Sequence, residues 1–146
     1  MFQTLFTGFV GGVFAWIFTD FVAKPLLRFS ELRREVTRCL VVYGNVGGRT
    51  EVDKAGKPKT LKLSAEEDAR LVEAQNAFRD LSGKMYGFAS VDAFANRIVT
   101  KFGYDADQIA AALMGFSNEI TSKGEGRAHF RNRVEKLLRL HSGGAK

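Results

Sequence analysis

FQTLFTGFVGGVFAWIFT, residues 2–19, is an uncharged, aromatic-rich run that ends at Asp20, Lys24 and Pro25 and is followed at once by Arg28, Arg33, Arg34 and Arg38. A bilayer core is crossed by about 20 mostly apolar residues in a helix of ~1.5 Å rise, and the stretch through Val22 and Ala23 supplies that length with Asp20 near the interface. Residues 1–24 therefore read as a transmembrane anchor, with its basic flank on the cytoplasmic side. A secretory signal peptide fits less well, because a basic n-region is missing and Phe21, Val22 and Ala23 do not make a small-x-small cleavage site. A buried helix of a soluble protein is the other alternative, since Gly8, Gly11 and Gly12 lower the hydrophobicity of the run and Asp20 interrupts it. The charge asymmetry across the run argues against that reading.

Beyond the anchor lie about 120 residues, enough for one small domain but not two. The single cysteine, Cys39, excludes an intramolecular disulfide framework and fits a reducing cytoplasm. Cys39 with His129 and His141 cannot make a zinc site at ordinary finger spacing. Two prolines, and apolar residues that recur at three and four, predict an all-α fold: an N-terminal transmembrane helix, then a cytoplasmic helical bundle of about five helices over residues 25–146.

The first of these helices carries Phe29, Leu32, Val36, Cys39 and Tyr43, a two-heptad seam with Arg28, Glu31, Arg34, Glu35 and Arg38 off it. Pro25 suits its first turn, where a missing N–H matters least, or a kink where the helix leaves the bilayer. Gly44, Asn45, Gly47 and Gly48 end it, and residues 47–63 read as a flexible loop. Ser64 with Glu67 makes a capping box for a long helix, whose buried stripe is Leu71, Ala74, Phe78, Leu81 and Met85 and whose end is expected at Gly87. A short helix capped by Ser90 should follow, with Val91, Phe94, Ile98 and Phe102 inward and Gly103 closing it. Asp105 then caps a helix carrying Ile109, Leu113, Phe116 and Ile120. The last helix, after a turn at 123–126, has Phe130, Val134, Leu137 and Leu138 on one side and Arg127, Arg131, Arg133, Lys136 and Arg139 on the other. No strand of useful length is expected.

Lys-Pro-Leu-Leu-Arg-Phe at 24–29, Leu-Arg-Arg-Glu-Val at 32–36, Val-Tyr-Gly-Asn-Val at 42–46 and Ala-Leu-Met-Gly-Phe-Ser-Asn at 112–118 together resemble an uncharacterised family of short bacterial single-pass membrane proteins. That family carries a Pro-x-x-x-Phe-x-x-Leu-Arg-x-Glu core, a Tyr-x-Asn-Val helix end and a Gly-x-Ser-Asn element before a terminal helix. The resemblance covers most of the chain except the 47–63 loop. Gly44 stands where the family has alanine, which implies a looser helix end, and Phe116 replaces an aliphatic residue. What the resemblance implies is architecture and a bacterial inner-membrane location; it implies no activity.

The residues for catalysis are not assembled in the sequence. His129 and His141 fall late, beside the basic last helix, and His129 reads as a surface residue. Glu66, Glu67 and Asp68 point in three directions on a helix, so they serve as first-turn charge and not as a metal cluster. Residues 44–50 resemble a phosphate loop only superficially, lacking a preceding strand and a Gly-Lys-Ser/Thr ending. No catalytic, cofactor-binding or metal-binding residue is assigned, and no cofactor is implied.

Charge is distributed unevenly. Residues 24–43 hold five basic and two acidic side chains, 44–63 five and two, 64–122 five and nine, and 123–146 seven and two. The first block, Lys24, Arg28, Arg33, Arg34 and Arg38, sets topology by the positive-inside rule and would also attract anionic head groups if its helix stays near the membrane. The last block packs onto the acidic middle, with nucleic-acid binding a weaker alternative. In the anchor, Thr7, Gly11, Ala15, Thr19 and Ala23 recur every four residues beside a second small stripe of Thr4, Gly8 and Gly12. Small faces let helices approach closely in lipid, so Thr7, Gly8, Gly11, Gly12, Ala15 and Thr19 form a candidate self-association face.

Taken together, the sequence predicts a single-pass protein of the bacterial inner membrane, N-terminus out and C-terminal domain cytoplasmic, acting as an interaction or regulatory module without catalytic activity. Its partners would be the bilayer, a second copy through the anchor, and a protein still to be found. The alternatives are a small oligomeric pore-forming effector, in which the glycine-rich anchor and Asp20 line the pore, and a membrane-tethered nucleic-acid binder.

Overall fold

The computed structural model describes residues 2–44, 46, 50–52, 58–60, 64–120 and 125–140, and the side chains of 9–44, 46, 64–120 and 126–140. Its element order is α1 (Phe2–Phe18), a π-helical turn (Thr19–Ala23), α2 (Lys24–Val42), β1 (Thr50–Val52), β2 (Pro58–Thr60), α3 (Ala65–Val91), α4 (Ala93–Lys101), α5 (Ala106–Glu119) and α6 (Glu125–Leu137). Among the described residues the regular structure is helical apart from the short antiparallel pair β1–β2, in which Thr50 faces Thr60 and Val52 faces Pro58. That pair lies inside the stretch expected as a flexible loop. The rest of the 47–63 loop lies outside the described residues.

α1, the π-turn and α2 follow one another without a break, so Pro25, in the first turn of α2, is interior to a continuous helix and withholds an N–H from a carbonyl of the π-turn beside it. From α2 onward the chain builds an antiparallel bundle, and the pairings give its order. Phe29 meets Phe88 at 5.7 Å between ring centroids and Tyr43 meets Phe78 at 6.3 Å, so α3 runs back along α2. Ser82 Oγ donates to the Ala110 carbonyl at 2.8 Å and Ser117 Oγ to the Gln75 carbonyl at 3.0 Å, so α5 runs back along α3. α6 returns beside α5 and α2: Phe130 lies on Gly115, and Arg33 Nε donates to the Leu138 carbonyl at 3.1 Å. α4 crosses between α3 and α5 at the end of the bundle that adjoins the π-turn.

The capping box is formed as read. Ser64 Oγ accepts from Glu67 N at 3.2 Å and Glu67 Oε2 accepts from Ser64 N at 3.0 Å. Leu71, Ala74, Phe78, Leu81 and Met85 are buried in the core, as are Ile109, Leu113, Phe116 and Ile120 from α5 and Val134 and Leu138 from α6. Phe130 and Leu137 are half-buried against them. Asp105 caps α5 by accepting from Gln108 N at 2.9 Å. The seam of α2 is the domain's own core: Pro25, Phe29, Leu32, Val36 and Leu40 are buried, with Cys39 and Tyr43 at its edge. Packed on α3 and α4, that seam is occupied within the bundle.

Two expectations are corrected around residue 90. α3 runs through Gly87 to Val91, because Phe88 and Ala89 are buried and their packing holds the helix together beyond the glycine; Asp92, not Ser90, stands at the start of α4. The inward face of α4 is Ala95 and Val99, whereas Phe94 and Phe102 are exposed, Ile98 is only half-buried and Val91 is 83% exposed. Moving the break from Ser90 to Asp92 changes the phase of the following helix. Ala95 and Val99 then face the bundle, and Phe94 and Phe102 face outward.

Candidate membrane junction and its basic residues

The described part of α1 is apolar on every side and covered by nothing. Phe9, Phe14, Trp16 and Phe18 are all more than half exposed, and only 6% of the apolar window lies buried. This helix is therefore not part of the bundle's core. Among the described residues, one helix is long and apolar enough to cross a membrane by length and composition.

Within the candidate association face, Gly11 and Gly12 have open space where a Cβ would stand and Ala15 is exposed. Thr19 Oγ1 donates to the Ala15 carbonyl at 2.8 Å, so the hydroxyl is satisfied within its own helix. The side-chain surroundings of Thr7 and Gly8 lie outside the described residues.

At the foot of α1 the helix widens into the π-turn, a local geometry often found at functional positions. Asp20 pairs there with Lys24 one turn on. Acid before base at this spacing is the favourable orientation on a helix. The basic residues named from the sequence do not form one patch. Lys24 and Arg28 line a cleft of ≈ 520 Å³ with Asp20, Phe21, Val91 and Phe94. Arg33, Arg34 and Arg38 line a separate groove of ≈ 640 Å³ with Val41, Val42 and Leu140. Counting ~1.5 Å per residue from Asp20, Arg28 is roughly 12 Å along the helix and Arg38 roughly 27 Å. Screening acts over about 8–10 Å at ordinary salt, so on a helix that left a bilayer upright at Asp20, Lys24 would lie within that distance, Arg28 just beyond it, and Arg33, Arg34 and Arg38 well outside it.

Arg33 also has a structural task. Its guanidinium lies 5.6 Å from the Tyr104 ring centroid, while Arg139 approaches the same ring at 5.2 Å. Tyr104 in turn packs on Phe29 at 5.2 Å. Gly103 is in the left-handed region (φ 81°), and a side chain there would collide with the Arg139 guanidinium. These contacts tie α2, the α4–α5 link and the end of α6 together.

The motifs quoted from the sequence prove to be packing devices. Gly44 offers its carbonyl to Arg127 Nη2 at 2.9 Å and to Arg131 Nη1 at 3.4 Å, and a Cβ on it would stand 2.5 Å from the Leu40 carbonyl oxygen. The helix end is thus held tightly, contrary to the looser end that glycine implied. Burial, and after it the Arg131 charge, pulls the Arg127 guanidinium below its ordinary pKa. Tyr43 donates to Glu73 at 2.9 Å, and this bond to a carboxylate raises the pKa of the phenol. In the 112–118 segment, Gly115 leaves room for the Phe130 ring, Phe116 stands edge-on to Phe78 at 4.7 Å, Ser117 bonds the α3 backbone and Asn118 accepts from Arg79 at 3.4 Å. Sequence reasoning missed the Lys84 ammonium, which bridges Asp80 at 2.8 Å and Glu35 at 2.9 Å and whose pKa both bonds raise. The alternation of charge at i and i+4 on α3 was its only signal.

No group of three or more His, Cys, Asp or Glu side chains that could hold a metal occurs among the described residues. His129 is exposed, edge-on to Phe130 at 5.5 Å, as its sequence position suggested. His141 lies outside the described residues. Cys39 is half-buried, and burial followed by the nearby Glu35 charge pushes its thiol pKa up, which is the opposite of an activated nucleophile. Comparison with known proteins returns no matching family model, no matching curated protein and no matching solved structure.

Proposed function

We propose that the chain is a single-pass membrane protein of the bacterial inner membrane, N-terminus out, whose cytoplasmic bundle acts as a non-catalytic interaction or regulatory module, as in the short membrane-protein family it resembles. The observation that carries this reading is α1: a helix apolar on all sides, uncovered by its own domain, and running directly into the first helix of the bundle. Such a surface is tolerated in lipid and is a liability in water. The small face at Gly11, Gly12 and Ala15 is open for a second copy in the same bilayer.

The two alternatives lose support. A pore would use Asp20 as an intramembrane acid, but its carboxylate is paired with Lys24 at the helix foot. A nucleic-acid binder would use the basic last helix, yet Arg127 and Arg131 hold the Gly44 carbonyl and Arg139 stacks on Tyr104. Alkaline carbonate washing of membranes and external protease on right-side-out vesicles test the proposal. The full-length chain should stay in the pellet with its bundle uncut; release into the supernatant refutes the anchor, and cleavage of the bundle from outside refutes the orientation.

A further inference from the structure

The bundle exposes apolar side chains at one end, beside the foot of the anchor. Val91 is 83% exposed and Phe94 54%, and both share the cleft at the π-turn with Phe21, itself 52% exposed. The fold puts them there by topology. α2 leaves the π-turn and runs away from it, α3 returns along α2, and α4 crosses at the returning end, so the α3–α4 corner sits level with the point where the anchor ends. Ala95 and Val99 fix α4 to the bundle, leaving Phe94, Arg97 and Lys101, spaced at three and four, on the outward face. Within the cleft itself two acids, Asp20 and Asp92, stand with two bases, Lys24 and Arg28, and Arg97 and Lys101 add exposed positive charge on α4 beside it.

We infer that the α3–α4 corner is a second membrane contact, with Val91 and Phe94 seated in the headgroup–acyl boundary of the same leaflet from which the anchor emerges and Arg97 and Lys101 on anionic head groups. The inference rests on the anchor reading above. Given that reading, the occupant follows from continuity: a surface that adjoins Phe21 and the π-turn meets the lipid interface before it meets any other partner. Large apolar side chains with flanking cations on a short exposed helix have the composition of an interfacial element. The consequence is mechanical. One span alone lets the bundle swivel, whereas span plus corner holds it at a set angle with the Arg33, Arg34 and Arg38 groove turned toward the cytoplasm.

The test uses the full-length chain in vesicles of phosphatidylcholine with phosphatidylglycerol, a Cys39→Ser background, and a nitroxide on Val91→Cys, Phe94→Cys or, as control, Val72→Cys. Val72 is exposed on α3 and, at ~1.5 Å per residue, roughly 28 Å from Val91. The labels at 91 and 94 should be more accessible to oxygen than to a water-soluble nickel chelate, with the order reversed at 72. Arg97→Glu with Lys101→Glu should shift the label at 94 toward water. Quenching of the single tryptophan, Trp16, by brominated lipid reports on the anchor separately. Quenched Trp16 with nickel-accessible labels at 91 and 94 overturns the corner contact and spares the anchor. Dipolar broadening between labels at 94 that persists when Gly11→Leu separates the anchors also overturns it, by assigning the corner to a second copy, and unquenched Trp16 overturns both readings.

Discussion

Gly115→Ala places a methyl group inside the Phe130 ring, and the outcome measures how firmly α6 is seated on α5. An ideal Cβ at residue 115 would stand 2.7 Å from Phe130 Cδ1 and Cζ and closer still to Cε1, well inside contact distance. Overpacking of this kind costs about 1–3 kcal/mol, while replacing glycine by alanine within a helix returns about 1 kcal/mol of propensity. The net expectation is a loss of about 0–2 kcal/mol, which alone would prove little. The second background decides. With Phe130→Ala the ring is gone, so the same Gly115→Ala change should stabilise by about 1 kcal/mol, and the double-mutant cycle should show a coupling of about 1–3 kcal/mol. Urea unfolding of a fragment beginning at Lys24, followed by circular dichroism, supplies the four free energies. Equal effects of Gly115→Ala in both backgrounds, with coupling below about 0.5 kcal/mol, would refute the placement of Phe130 on Gly115 and with it the seating of α6.

Three further tests probe the bundle and one probes α1. Phe116→Ala, which removes a fully buried ring from its edge-on contact with Phe78, should cost about 3–5 kcal/mol in the same unfolding assay. Val99→Ala should cost at least about 1.5 kcal/mol, from two buried methyl groups at ~0.8 each, whereas Phe94→Ala should leave the fragment within about 0.5 kcal/mol of the parent; the reverse order would restore the inward face that the sequence suggested for α4. Because the folded state raises the Tyr43 pKa, its bond to Glu73 contributes stability that is complete below the ordinary tyrosine pKa of about 10 and is lost as pH rises through the folded value. Tyr43→Phe should therefore flatten the alkaline limb of the stability profile and remove a phenol signal at 295 nm that titrates above the ordinary tyrosine range. Gly11→Leu should weaken self-association of the full-length chain in a membrane reporter assay while Phe14→Leu does not, since a bulky side chain on the small face keeps two backbones apart.

Most of the bundle was legible because its helices carry their own punctuation. Ser64 and Glu67 announce α3, Asp105 announces α5, and the spacing of Phe78, Leu81 and Met85, or of Ile109, Leu113 and Phe116, states the buried side without reference to anything distant. α4 was misread because its signals compete. Gly87 looks like a stop, yet Phe88 and Ala89 find a core to enter, and tertiary packing overrides a single glycine of about 1 kcal/mol. Two residues of extra helix then rotate everything after them. The roles of Arg33, Arg127, Arg131 and Arg139 were illegible for a different reason: each acts on a backbone carbonyl or a ring far away in sequence, and composition shows only that they are basic.

That same failure bears on function. A net charge of +6 invites an electrostatic reading of the whole chain, but the structure divides the cations by task. Some hold α6 and the α4–α5 link in place, some line the groove beside Leu140, and among the described cations Lys24, Arg28, Arg97 and Lys101 belong to the end of the bundle that adjoins α1. A motif built of Gly44, Gly115, Ser117 and Asn118 likewise specifies how helices meet and gives no reacting group. What distinguishes this chain is accordingly the posture of a small bundle at the foot of a helix. On the proposed reading as a membrane-tethered interaction or regulatory module, that posture matters, because a cytoplasmic partner would meet the Arg33, Arg34 and Arg38 groove at a fixed height and angle, whereas a freely swivelling tether would dilute the encounter.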